Sequence, residues 1–151
     1  MTWCGWVAVL ATLAAVDRLQ AAAGELNLQA QLIWGTDGEK PEDKKLTELD
    51  AVTKKKLKGV FKWKNYFEVN QQAFKVAASG SKRVRMSPKC ELVVERLGGS
   101  TASPLIEVVL YGEGNLVGRT KKILKIGELM VLAGDDKNDT AWFVLLRHAK
   151  K

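Results

Sequence analysis

The chain has 151 residues, 46% of them hydrophobic, with 24 basic and 17 acidic residues and a single histidine. That length supplies one core and argues against a second domain. The net charge of +7 favours anionic partners, while one histidine and no Gly-x-Ser-x-Gly elbow leave little from which to build a serine hydrolase.

From Trp3 to Val16 the chain carries no charge, and Ala21 and Ala23 follow in an Ala-x-Ala pattern. A run of that length suits a signal-peptide core and is short for a membrane span, which needs about 20 residues. Residues 1–23 are therefore expected to be a signal peptide, although Met1-Thr2 lacks the usual Lys or Arg, and residues 24–151 to be one exported domain, periplasmic or extracellular. Arg18 and Asp17 leave together, so the +7 charge stays with the mature domain. No transmembrane span is expected in that domain. Cleavage also leaves Cys90 without an intrachain partner, and its place before Glu91-Leu92-Val93-Val94 suits a small buried hydrophobe.

Leu26, Leu28, Ala30 and Leu32 alternate with polar residues, which is the period of a half-buried strand ending at Ile33-Trp34. After a charged loop, Thr47 is expected to cap a helix, with Asp50 three residues on, Leu46 as a staple, and Leu49, Val52 and Leu57 on one face. Lys54-Lys55-Lys56 and Lys58 oppose the dipole in its last turn, and Gly59 ends it.

Val60 to Asn70 holds four of the eleven aromatics. Its two-residue period puts Phe61, Trp63, Phe67 and Val69 on a buried face, and Lys62, Lys64 and Tyr66 on a wet one. Further short strands are expected at Phe74–Val76, Lys82–Met86, Cys90–Leu97, Leu105–Tyr111, Leu116–Ile126, Leu129–Leu132 and Ala141–Arg147. Strands at this spacing with one inserted helix imply an antiparallel β-sandwich or a partly closed barrel of about seven or eight strands.

Gly112-Glu113-Gly114-Asn115-Leu116-Val117-Gly118-Arg119 matches neither a dinucleotide fingerprint nor a P-loop in its glycine spacing, and reads as a hairpin turn. No cofactor is expected. Asp135, Asp136, Asn138 and Asp139 are oxygen donors of the type that Ca²⁺ takes, but Lys137 lies among them and the spacing is not that of an EF-hand; an ordinary hairpin loop is the simpler reading. His148, near the chain end without neighbouring ligands, is expected to be exposed.

Four basic clusters, Lys54–Lys64, Lys82–Lys89, Arg119–Lys125 and Arg147–Lys151, are spread through the chain. Lys62, Lys64, Tyr66, Lys82, Arg83 and Arg85 form the candidate binding surface, on an aromatic-basic pattern that nucleic-acid binders also use. Export argues against nucleic acid and for a protein partner or an anionic envelope polymer. Trp34, Trp63, Trp142, Tyr66 and Tyr111 offer a possible aromatic platform for sugars, against the simpler reading of Trp63 and Trp142 as core anchors. The expected function is a non-enzymatic binding or accessory module; a Ca²⁺-stabilised carbohydrate-binding module is the alternative, and a small carboxylate hydrolase a distant third.

Taken together, Leu32-Ile33-Trp34-Gly35-Thr36, the Phe61 to Asn70 stretch and Gly134-Asp135-Asp136-Lys137-Asn138 with Ala141-Trp142-Phe143-Val144 resemble small exported bacterial β-domain proteins of unassigned function. The resemblance implies an exported β-domain and brings no active site with it.

Overall fold

The alternation that begins at Leu26 becomes β1 (Leu26–Thr36), the strand on which the larger sheet is built. A computed structural model describes residues 24–42, 44–135 and 140–150, with only the backbone of Asp135. The expected signal peptide lies outside these residues. Among them no helix is long and apolar enough to cross a membrane.

The chain continues through β2 (Thr47–Glu48), α1 (Ala51–Lys58), β3 (Asn65–Val76), β4 (Ser81–Ser87), β5 (Cys90–Gly99) and β6 (Pro104–Gly112). It ends with β7 (Asn115–Ile123), β8 (Leu129–Asp135) and β9 (Ala141–His148). Two antiparallel sheets result, one of five strands in the order β2-β3-β1-β9-β8 and one of four in the order β4-β5-β6-β7. The sandwich expectation therefore holds, and the partly closed barrel does not: β7 and β8 follow one another in the chain but lie at the edges of different sheets.

Alternate residues of both sheets fill the space between them. Leu26, Leu28, Ala30 and Leu32 of β1 meet Val84, Met86, Leu92, Val94, Ile106, Val108 and Leu110 of the smaller sheet, with Val144 and Leu146 of β9. At the β3 side Asn70 Nδ2 donates to the Met86 carbonyl at 2.9 Å and ties the sheets together. The other face of the larger sheet is also covered at one end. There Ile33, Tyr66, Phe143 and Leu145 pack under Leu49 and Leu57, flanked by Phe61 and Trp63. The domain thus has three layers, α1 with its flanking loops, the five-stranded sheet and the four-stranded sheet.

The covering layer explains two departures from the sequence reading. Tyr66, expected on a wet face, is only 1% exposed, because α1 and the Phe61–Trp63 loop cover that face. Val69, expected inside, is 40% exposed. It sits at a bulge: Leu32 pairs with Asn70 and Ile33 with Glu68, which leaves Val69 unpaired and switches the inward parity of β3 from Phe67 to Asn70, Phe74 and Val76. The strand also starts at Asn65 rather than Val60 and absorbs the separate strand expected at Phe74–Val76.

The helix starts later than expected. Thr47 belongs to the short β2, and Asp50 is the N-cap, its Oδ1 accepting the Thr53 N–H at 2.9 Å. That shift turns Thr53 and Leu57 inward and leaves Val52 at 66% exposed. Glu113 and Gly114 both take positive φ, 51° and 80°, as a two-residue type I′ hairpin between β6 and β7 requires.

Candidate functional site

The six residues expected to form one surface are divided among the loop after α1, β3 of the larger sheet and β4 of the smaller one. Lys62 and Lys64 leave the loop after α1, where the Lys62 ammonium lies 4.6 Å from the Trp63 ring centroid and the Lys64 N–H donates to Asp37 Oδ1 at 3.1 Å. Tyr66 is removed from any surface by its burial. Lys82, Arg83 and Arg85 are exposed on β4 of the other sheet.

Arg83 and Arg85 are already engaged. Both guanidinium groups bind the Glu91 carboxylate across the β4–β5 pair, at 2.6 and 2.9 Å. The hydrogen bonds from Arg85 and then Arg83 hold the Glu91 carboxyl below its ordinary range. Arg83 also lies over the Tyr111 ring, 5.7 Å from its centroid. Such exposed pairs contribute little stability, but they give these two cations an internal partner and weaken the case for an external one.

The five aromatics named as a sugar platform do not share a face. Trp34 pairs with Trp142 across β1–β9 and lies 6.3 Å from Phe67. Trp63 and Tyr66 pack on the opposite, helix-covered face, and Tyr111 lies in the second sheet. Of the Ca²⁺ candidates, Asp136, Asn138, Asp139 and the side chain of Asp135 lie outside the described residues. No three His, Cys, Asp or Glu converge among the described ones.

His148 corrects a further expectation: it is 3% exposed, with Nδ1 3.0 Å from the Leu124 carbonyl oxygen. A carbonyl only accepts, so Nδ1 carries the proton in this contact. Cys90 is buried, as its apolar setting suggests, and burial pushes its thiol up to about 11.

The feature the sequence reading did not assemble is the open side of the sandwich. Between β7 and β8 runs a groove of about 370 Å³, walled by Gly118, Thr120 and Lys122 on one side and Leu129 to Ala133 on the other, with Leu110 beneath. A second hollow of about 590 Å³ continues it toward α1 and adds Lys56, Val60 and Phe61. Lys122, Leu129 and Val131 line both. Both are open grooves rather than enclosed cavities.

The two walls differ in chemistry. Arg119, Lys121 and Lys122 crowd β7, and Lys125 follows it. Only Lys121 among these has an ion pair within the described residues, at 3.7 Å from Glu107. Leu129 to Gly134 of β8 carry no charge, and Val131 and Val60 are 39% and 75% exposed. Arg119–Lys125 was visible in the sequence as a basic cluster. What sequence could not supply was the pairing that leaves β7 and β8 unjoined, since a barrel would have buried the same residues between them.

No protein family, curated protein or solved structure matches the chain. Function is therefore read from the chain's own residues.

Proposed function

We propose that the protein is a non-enzymatic binding or accessory module, working outside the cytoplasm, that holds an anionic partner on the open side of its sandwich. The observation that carries this reading is the groove between β7 and β8, bordered by Arg119 and Lys122, which have no ion pair among the described residues. Cations without internal partners beside an apolar cleft supply both attraction at a distance and surface to bury on contact. The partner is a protein or an envelope polymer.

The test is the affinity of the purified full chain for polyglutamate and for vesicles of anionic phospholipid, measured at low and at high salt. Affinity falling as salt rises is expected, because exposed charges are screened. Arg119→Glu combined with Lys122→Glu, both exposed, should weaken binding without unfolding the domain. Unchanged binding by that variant, or an affinity indifferent to salt, counts against the reading. Export is tested separately, by sequencing the N-terminus of the chain recovered from its native host; a start near Gly24 supports it.

A further inference from the structure

We propose that the free edge of β8 pairs with an extended acidic segment of a partner protein, which enters the groove as an added strand of the five-stranded sheet. This rests on the reading above and names the partner chemistry for the same site.

The two strand edges that border the groove differ. A strand at a sheet edge presents unpaired N–H and C=O groups, and soluble proteins protect such edges with lysines, bulges or covering elements. β7 has that protection: Arg119, Lys121 and Lys122 stand on it, and its register slips between Leu110 and Tyr111. β8 has none of it. Leu129 to Gly134 are uncharged, their pairing with β9 runs from Leu129↔Arg147 through Gly134↔Trp142 without a register shift, and no described strand pairs with the other side. A regular apolar edge is a template for another strand.

The surroundings select which strand. One added beside β8 would alternate its side chains between the two faces of the sheet. The row facing β7 meets Lys122, whose cross-strand partner Ile106 lies in the core between the sheets, and the row facing α1 meets Val60, Phe61 and Val131, with Lys56 at its margin. Carboxylates on the first row and apolar side chains on the second complement what is there. The one acidic residue lining either hollow, Glu128, accepts the Lys125 N–H at 3.1 Å.

A second copy of this chain is the competing occupant. Pairing β8 with β8 would bring Lys122 and Lys56 of each copy against those of the other, between molecules that each carry +7, and like charges so placed oppose association. The same cations favour an acidic strand.

The experiment uses the full chain and a synthetic peptide alternating Glu with Val, seven residues long like β8, beside the same peptide N-methylated at alternate backbone amides. Methylation keeps the charge and side chains but removes donors to the β8 edge. The expected result is binding of the first peptide, slowed amide hydrogen exchange within Leu129–Gly134, and an affinity lowered about tenfold or more by methylation, the loss of a few main-chain hydrogen bonds. Equal binding of the two peptides would overturn strand addition, as would binding of polyglutamate or anionic vesicles with no binding of either peptide; both leave the anionic-partner reading standing. Binding of none of these probes at low salt would overturn both. Concentration-dependent dimers that protect Leu129–Gly134 without peptide would assign the edge to a second copy and overturn the proposal.

Discussion

The indole of Trp142 fills the space that a side chain at Gly134, its cross-strand partner, would need: a Cβ there would lie 2.4 Å from Cε2 and Cζ2. The same ring reaches across the sandwich, where a Cβ on Gly112 would meet Cζ2 at 3.2 Å. Gly134 has no positive φ, so the requirement for glycine is steric.

Gly134→Ala should therefore destabilise by forcing the indole out of its seat, at a cost of about 1–3 kcal/mol typical of overpacking. Gly118→Ala is the control. A Cβ at that position meets nothing within 4 Å, so its urea midpoint should move little. Equal midpoints for the two variants would remove the Trp142 contact as the cause.

Tyr66 offers a cleaner deletion. Its ring packs 6.0 Å from that of Phe143, but its hydroxyl is buried with no hydrogen-bond partner among the described residues. Burial is the largest influence on its pKa and pushes it up, while the Trp63 backbone lies nearby but outside hydrogen-bonding geometry. Removing a buried polar group that has no partner relieves its desolvation penalty. Tyr66→Phe should be neutral or stabilising by up to about 1 kcal/mol, whereas Tyr66→Ala should cost about 3–5 kcal/mol, as large aromatic truncations do. A Tyr66→Phe variant clearly less stable than the parent in urea would show that the hydroxyl has a partner, such as a bound water.

Those same residues show where sequence stops informing. The strand-like runs marked every long strand, and in all of them but β7, which is exposed along nearly its whole length, one face meets the core between the sheets. The period-two pattern misplaced Tyr66 and Val69 because a pattern cannot reveal that α1 covers the second face, or that a bulge switches parity within β3. His148 was misread for a related reason: proximity to the chain end suggested exposure, yet β9 carries it into the interior beside Leu124. The basic cluster at the candidate site was legible, but its setting depends on which strands remain unpaired, a property of topology.

Cys90 makes a prediction with a pH window. Its folded pKa is raised from 9.0 to about 11, first by burial and then by the neighbouring Glu91 charge. Above pH 9 the unfolded chain loses this proton while the folded one keeps it, so the cysteine's contribution to stability falls between pH 9 and about 11 and then levels off. Cys90→Ala should lose that segment of the pH dependence in urea titrations. At neutral pH the native thiol should react with iodoacetamide far more slowly than in urea; equal rates would contradict its burial.

Asp50 behaves in the opposite sense. Hydrogen bonds from Thr53, side chain first and then backbone, lower its carboxyl below 3.8. The stabilisation is present above the unfolded pKa and disappears as pH falls through the lower folded value. Asp50→Ala should cost about 1 kcal/mol at neutral pH, as N-cap removals do, and Asp50→Asn, which still accepts a hydrogen bond, should recover most of it. The acid limb should be shallower in both variants. An unchanged limb in urea titrations below pH 4 would mean that the cap does not hold α1.

The His148–Leu124 contact bears on the groove itself. Leu124 to Glu128 joins β7 to β8, and three contacts fasten it to the end of β9: His148 Nδ1 with the Leu124 carbonyl at 3.0 Å, Gly127 N–H to the His148 carbonyl at 2.9 Å, and His148 N–H to the Glu128 carbonyl at 3.4 Å. Only the first depends on the side chain. His148→Leu fills much of the same volume but strands the Leu124 carbonyl in the interior, a loss of about 1–3 kcal/mol. Because Gly127, Glu128 and Leu129 line the hollow beside α1, amide exchange should quicken first in the Leu124–Glu128 connector, before β1 or β9 is affected. Uniform quickening across the domain would instead make His148 an ordinary core residue with no particular hold on the connector, and the spacing of β7 from β8 would then have to come from Leu124 and Met130 packing in the core between the sheets.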